Sequence, residues 1–431
     1  MGAAFPMPRA GKPAVAPAVV VLRGAQAIAE IVPAWDDLAA SALEPNPFYE
    51  SWMLRPALDW LGAGRDIELV TVWADGRLGA LLPVERKPHY KGFPVRTLRN
   101  WRHRHCLLGT PLVRADGAAT CVAALVEWFR SAAPLVELDY LPADGPVYRL
   151  LNQAQLPAVP WEGYERALFR RSRDADTYLA SAVSRQDRQE VRRRERRLAE
   201  RGAVAHLTLR PGDSIERWLD ELMQLEAGGW KGKQGSALAS TEANRRFATE
   251  TFTAAFRRGR LHMVGLDLDG KPLARCSSIM AGSGGYAFKT AYDEAFSRFS
   301  PGIIVEVDRI RALHDLPEVQ WMDSFTADGN VVLNRLWNQR VKIQGLTFAP
   351  GVLGRLALGV RSALRQAKRW LQRRRTSASA PNTSAMPASM VKVTASPSSS
   401  QPQSTPSTGT AKPTVSVRDG PMSRIKVKKG K

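Results

Sequence analysis

The stretch 286–308 concentrates residues that could hold an anion and handle a proton. Its aromatic first part reads as a half-buried strand ending at Tyr292, and Ser300-Pro301-Gly302 reads as the opening of a helix. Serine is a good N-cap, proline is pre-organised for the first helical position, and glycine leaves the backbone open to close approach. The first turn of such a helix offers N–H groups at the positive end of the helix dipole. Ser300, Pro301, Gly302 and Ile303 are therefore a candidate phosphate site. Arg298 would add a charge-assisted contact, or stay a solvated loop arginine. Asp293 follows the strand end and would orient a substrate or accept a proton, or else only shape the turn. Tyr292 would donate to a carbonyl or pack as a core aromatic, and Asp323 ends a later apolar run with the same two readings as Asp293. Trp230 and Lys231 lie in a glycine-rich loop, a place suited to ligand recognition, although the tryptophan would equally anchor the loop.

Two pairs, Asp75-Gly76 and Asp269-Gly270, each sit between apolar runs, which is a hairpin signal. The pattern around them predicts one order twice: helix, helix, hairpin, third strand, helix, strand. In the first copy the helices fall at 25–40 and 49–60, the hairpin begins at Ile67, strands follow at 95–101 and 106–113, then a helix at 118–131 and a strand at 135–141. The second copy opens with a long charged helix at 177–201 and a strand at 204–209. Helices at 214–227 and 241–258 and a hairpin from Leu261 follow, then the stretch above, a strand at 319–325, a helical turn at 334–337 and a strand at 341–348. This is a mixed α/β pattern with the mark of an internal duplication.

The formal charge of +21 over 431 residues points to anionic partners: nucleic acid, phosphorylated cofactors or a membrane surface. Most of it lies behind Gly351, where sixteen Lys and Arg face one acid, Asp419. Residues 353–375 carry eight Lys and Arg and no acid, and Leu356, Val360, Leu364 and Leu371 can share a helical face. That segment, 351–375 in the domain scheme, is either a membrane-surface helix or a helix docked on the core with a solvated basic side. Residues 376–431 are too poor in apolar side chains to offset ordering entropy and are expected to be disordered, and 1–17 are a flexible lead-in. Three scattered cysteines suit a reducing compartment and make no metal motif, so no metal is expected. No apolar run reaches the length of a membrane span and no cleaved signal is read, which predicts a cytoplasmic protein, peripheral at most on the inner membrane face.

The second-half order resembles the GNAT acyltransferase fold. Ser184-Arg-Gln-Asp-Arg-Gln-Glu-Val-Arg-Arg-Arg-Glu looks like the arginine-rich entry helix of the CelD-like, cellulose-biosynthesis-type acetyltransferase branch. Glu226-Ala-Gly-Gly-Trp-Lys-Gly-Lys-Gln-Gly-Ser-Ala, Tyr292-Asp293 with Ser300-Pro301-Gly302, and Met322-Asp323 with Asn338-Gln-Arg340 are similar to later segments of that branch. Pro47-Phe-Tyr-Glu-Ser-Trp52 and Leu81-Leu-Pro-Val84 resemble the first half of a double-GNAT architecture shared with FemAB-type transferases. The likeness covers roughly residues 20–350. One departure stands out: Arg298-Phe-Ser-Pro-Gly-Ile replaces the glycine-richer pyrophosphate loop of most GNAT enzymes.

The resemblance implies tandem GNAT-like domains, 18–170 without a site and 171–350 catalytic, the latter moving an acyl group from acetyl-CoA or a longer acyl-CoA to an amine. It also implies the acceptor class, an amino sugar or a polysaccharide or envelope precursor. Direct attack of the amine needs no covalent enzyme intermediate, in keeping with the lack of a Ser or Cys constellation. In this reading Asp293, Tyr292 and Asp323 are the catalytic candidates, Arg298 and Ser300–Ile303 bind the donor, and Trp230 and Lys231 bind the acceptor. Two alternatives stay open: an aminoacyl-tRNA-dependent transferase, whose RNA would suit the basic tail, and a non-enzymatic membrane- or nucleic-acid-associated protein that keeps the fold.

Overall fold

In a computed structural model the structure describes residues 16–161, 163–327 and 329–378. The chain through Trp370 forms one compact unit; of the second unit, from Leu371, only the end of the helix Val352–Ala378 is described. The expected lead-in up to Val15 and the tail beyond Ala378 lie outside the described residues.

The first half supplies β1 (Ala18–Leu22), β2 (Ile67–Ala74), β3 (Arg77–Lys87), β4 (Thr97–Asn100), the short β5 (Leu112–Val113) and β6 (Leu135–Pro142). Between the halves run β7 (Ala158–Pro160) and β8 (Tyr164–Arg170). The second half supplies β9 (Val204–Thr208), β10 (Leu261–Leu268), β11 (Lys271–Ala281), β12 (Gly284–Tyr292), β13 (Trp321–Asp323) and β14 (Gln339–Phe348). All join one mixed sheet in the order β1-β2-β3-β4-β6-β14-β8-β13-β12-β11-β10-β9, with β5 on β3 and β7 on β14. Read from either edge inward, the sheet shows four antiparallel neighbours and then a parallel pair, β4 with β6 and β12 with β13. The duplication is therefore structural. Both hairpins turn through the predicted Asp-Gly pairs, with φ of 50° and 74° at Asp75 and Gly76 and 51° and 72° at Asp269 and Gly270. Positive φ at both positions matches the twist of the flanking strands.

The sixth strands change places. β8 follows β6 in the chain yet bonds to β13; β14 follows β13 yet bonds to β6; and the two bond to each other. A second seam is apolar. Phe48, Trp52 and Leu108 of the first half pack with Trp218, Phe252, Phe288 and Phe325 of the second. Phe48 stacks on Phe325 with centroids 4.3 Å apart, and Arg260 pairs with Glu50 beside it.

Two expectations change. The charged helix read over 177–201 is two helices, Ala175–Ala182 and Arg185–Ala199, because Ser184 caps the second by accepting from the Asp187 N–H. The strand read over 106–113 is regular only at Leu112–Val113. The irregular stretch between β4 and β5 carries His103 and His105 to the second half.

Candidate functional site

The site is built where two parallel strands part. β12 bonds to β13 only over Gly284–Tyr286 against Trp321–Asp323, and then runs on to Tyr292 without a β13 partner. A register shift between Ser277 and Ser278 leaves Phe288 unpaired, so the strand is bulged at its middle. In the first half the matching strands β4 and β6 pair over Thr97–Arg99 against Leu135–Glu137, and there the divergence is closed at once. The Asn100 amide donates to the carbonyls of Gly109 and Asp139, both at 3.0 Å, and accepts from the Asp139 N–H at 2.9 Å.

One side of β12 carries a polar cluster. Lys289 donates to His105 Nδ1 at 3.1 Å, and His105 Nε2 lies 3.2 Å from the Asn244 carboxamide oxygen. Lys231 donates to Glu226 at 2.9 Å and to the Thr290 carbonyl at 3.3 Å, while the other Glu226 oxygen accepts from the Leu238 N–H at 2.6 Å. Burial pushes the Lys289 ammonium down to about 8, against the pull of Glu226. Burial, with the nearby Lys289 charge, pushes His105 down to about 2 and His103 to about 3, so both imidazoles are neutral. For Glu226 burial opposes the charge, but Lys289, Lys231 and the Leu238 N–H outweigh it and hold the carboxyl below its usual range.

The other side ties the helix Pro301–His314 to the sheet. Thr290 donates to Glu306 at 3.0 Å, and Arg309 donates to Cys276, to the Thr290 hydroxyl at 3.1 Å and to the Ser277 carbonyl at 3.3 Å. Burial raises the Cys276 thiol well above its usual range, so it is inert there.

Most of the predicted residues meet at the end of β12. Tyr292 closes the strand with its ring against Gly302, where an added Cβ would lie 2.9 Å from the ring. Asp293 accepts from the Ala295 N–H at 2.9 Å and caps the 3-10 turn Glu294–Phe299. Glu294 accepts from the Trp230 N–H at 2.7 Å and from Lys233 at 3.2 Å, which draws the Trp230-Lys231 turn to the same place. A shallow cleft of about 400 Å³ lies there, lined by Glu221, Leu225, Lys233, Tyr292, Asp293 and Glu294. Trp230 is 52% exposed. Arg298 is exposed, with its guanidinium 4.7 Å from the Phe299 ring.

Two placements differ from expectation. Ser300 does not cap the helix: it sits at φ 52° and ψ 53°, and its hydroxyl meets Arg194. Its carbonyl already takes the N–H groups of Ile303 and Ile304, at 2.9 and 3.2 Å. Pro301 has no N–H, so of the two donors expected at Gly302 and Ile303 the first remains. Asp323 stands apart from the cluster, opposite Tyr286, with its carboxylate buried in a two-pronged pair with Arg166 at 2.7 and 2.8 Å. It also accepts from the Phe325 N–H at 2.8 Å, so it fastens β8 to β13.

Sequence reading missed Lys289, His105, Glu226 and Arg194. Lys289 had a signal, a charge inside an apolar strand; His105 had none, because its partner lies 184 residues away. Among the described residues no three His, Cys, Asp or Glu side chains converge as metal ligands.

Residues 185–330 match the Acetyltransf_6 family model, described as an acetyltransferase (GNAT) domain. No curated protein matches the chain. Among solved structures, FemX aligns with 77% of this chain and 97% of its own, at 10% identity and a TM-score of 0.50, which speaks for the fold. A tandem GNAT protein from the clavulanic acid biosynthesis pathway aligns with 78% and 99% at 15% identity and a TM-score of 0.38. The L-PGS of Bacillus licheniformis aligns with 66% and 85% at 14% and 0.41. The strand order, the parting of β12 from β13 and the family match together identify residues 185–330 as a GNAT acetyltransferase domain, set in a tandem α/β fold like that of FemX.

Proposed function

We propose that the chain is an N-acyltransferase that takes its acyl group from acyl-CoA, with residues 171–350 catalytic and 18–170 a supporting half without a donor site. One observation carries this reading: the edge of β12 that has no β13 partner, from Ala287 to Tyr292, leads through the 3-10 turn Glu294–Phe299 to Ser300-Pro301-Gly302. An unpaired strand edge offers backbone donors and acceptors to an extended amide-bearing chain. The turn beyond it offers the Gly302 N–H, the helix dipole, Arg194 and Arg298 to a pyrophosphate. Gly302 fits this role because any side chain there would meet the Tyr292 ring.

In the reaction the lone pair of the acceptor amine attacks the thioester carbonyl. The C–N bond forms, the C–S bond breaks, and the electron pair leaves on the CoA sulfur. In this reading the Tyr292 hydroxyl stabilises the carbonyl oxygen, and the Asp293 carboxylate orients the amine and receives its proton. Trp230 presents an exposed indole face beside Lys231 and Lys233, a surface suited to the ring of an amino sugar or a polysaccharide precursor. Acyl-CoA is a cytoplasmic donor, and the three buried free cysteines suit that compartment.

Calorimetric titration with acetyl-CoA, longer acyl-CoAs and CoA, beside Gly302→Asp, tests the reading. Saturable binding by the natural chain, weakened at least about tenfold in the variant, is expected; that corresponds to about 1.4 kcal/mol. Absence of binding to every CoA species by folded protein would overturn it. A thiol-release assay over a panel of amines, glucosamine included, then reads the acceptor.

A further inference from the structure

We infer that the helix Val352–Ala378 docks the protein on a bilayer containing anionic phospholipid, through an apolar stripe that the fold leaves in water. The helix meets the body of the protein through its small residues. A Cβ at Gly354 would lie 2.0 Å from the Pro134 carbonyl oxygen, and Ala357 is buried against Tyr90 and Leu135. Arg361 donates to the Tyr90 hydroxyl at 2.6 Å. Leu358 packs at that contact too, but an apolar stripe is turned away from it: Leu353, Leu356, Val360 and Leu364 are between 49 and 65% exposed. Their spacing of three, four and four residues puts them on one face. A helix whose purpose was to complete the core would bury that face. Here the docked face is Gly354, Ala357, Leu358 and Arg361: the helix is docked on the core, as one of the two expectations had it, and the stripe of Leu353, Leu356, Val360 and Leu364 stays outside that contact.

Charge selects the occupant. Residues 352–378 contain eight Lys and Arg and no acid. Beside the start of the helix a cleft of about 710 Å³ is lined by Arg86, Lys87, Arg96 and Arg130, and also by Val352 and Leu353. Arg86, Lys87 and Arg130 pair with Glu68, Glu85 and Glu127, whereas among the described residues Arg96 has no ion-pair partner. Cations therefore open next to the first leucine of the stripe. That juxtaposition matches a surface that is anionic at the headgroup and apolar just below it. A second copy of the chain would bring two acid-free basic helices together, and a nucleic acid would use the charge while leaving the leucines in water. Among the described residues no helix is long and apolar enough to cross a membrane, so the contact is interfacial.

Flotation of the full chain with phosphatidylcholine vesicles, with and without phosphatidylglycerol, tests this. The variant Leu356→Gln with Leu364→Gln keeps every charge and changes only exposed positions, so its melting temperature should be unchanged. Binding to the phosphatidylglycerol vesicles is expected, with a drop of about tenfold in the variant. Arg96→Ser should lower the preference for the anionic vesicles without abolishing binding. Three results would overturn the inference. They are the natural chain staying with the unbound fraction; the glutamine variant floating equally well, which would assign the binding to charge alone; and light scattering from a dimer that the variant dissociates, which would assign the stripe to a second copy.

Discussion

The two halves of the sheet share a topology and differ at one notch. In the first half β4 ends at Asn100, and that side chain stitches the parting strands together with three hydrogen bonds. In the second half β12 continues to Tyr292, while Asp323 turns its carboxylate the other way, onto Arg166. Duplication of a fold thus gave two potential clefts, and a single amide closes one of them. Both notches carry charge, arranged differently: beside β4, Lys91 and Arg99 pair with Glu137, whereas Lys289, Glu226 and Lys231 gather beside the open stretch of β12.

The exchange of β8 and β14 makes the comparison breakable at its joint. Arg166→Met leaves the Asp323 carboxylate buried without its cation, and a buried pair broken on one side costs about 3–5 kcal/mol. Denaturant unfolding should show that loss, and Arg166→Met with Asp323→Leu should recover most of it. Equal stability of the single variant and the natural chain would mean that the joint is held by other contacts.

Asn100→Ala strips partners from three buried backbone groups and should cost about 3 kcal/mol in the same assay. Its sharper reading is in binding. With the donor on β12, affinity for acyl-CoA is unchanged by Asn100→Ala. A change in that affinity would move the donor to the first half and reverse the assignment of the two notches.

Lys289, in the open notch, is held in a place that resists its charge. A lysine whose folded pKa lies near 8, below its ordinary 10.5, costs stability at neutral pH, because the unfolded chain binds its proton more readily. Lys289→Met should therefore be about 1 kcal/mol more stable at pH 7, and that gain should shrink as pH rises from about 8 towards 10. Lower acyl transfer in the more stable variant would mark the lysine as functional.

The parts of this architecture that local chemistry dictates were legible in the sequence. Asp-Gly pairs need no distant partner to turn a hairpin, so both hairpins stand as predicted. Tyr292, Asp293 and Ser300–Gly302 lie within one short segment, and their neighbourhood was readable for the same reason. The strand β8 was not, since three of the seven residues of Tyr-Glu-Arg-Ala-Leu-Phe-Arg are charged and the buried one, Arg166, is explained only by Asp323 on the neighbouring strand. The capping role read for Ser300 failed on a similar point: Arg194, brought in by a separate helix, competes for its hydroxyl.

The two edges of the sheet give the smallest and most local test. At one edge Arg23, next to β1, pairs with Glu68 of β2, both charged throughout the neutral range. At the other, His206 of β9 lies 2.7 Å from Asp308 and 3.0 Å from Glu195. Asp308 raises the imidazole above its ordinary 6.5, with partial burial working against it. A raised folded pKa means that this contribution is complete below 6.5 and is lost as pH climbs through the folded value. Half-exposure and solvent screening hold it to about 0.5 kcal/mol. Hydrogen exchange, corrected for intrinsic rates, should then show β9 loosening between pH 6 and 8 while β1 does not. His206→Gln should remove that pH dependence and leave β1 as it was. Equal behaviour of the two edges would mean that the β9 edge is held by its backbone ladder with β10, and that the histidine adds nothing to it.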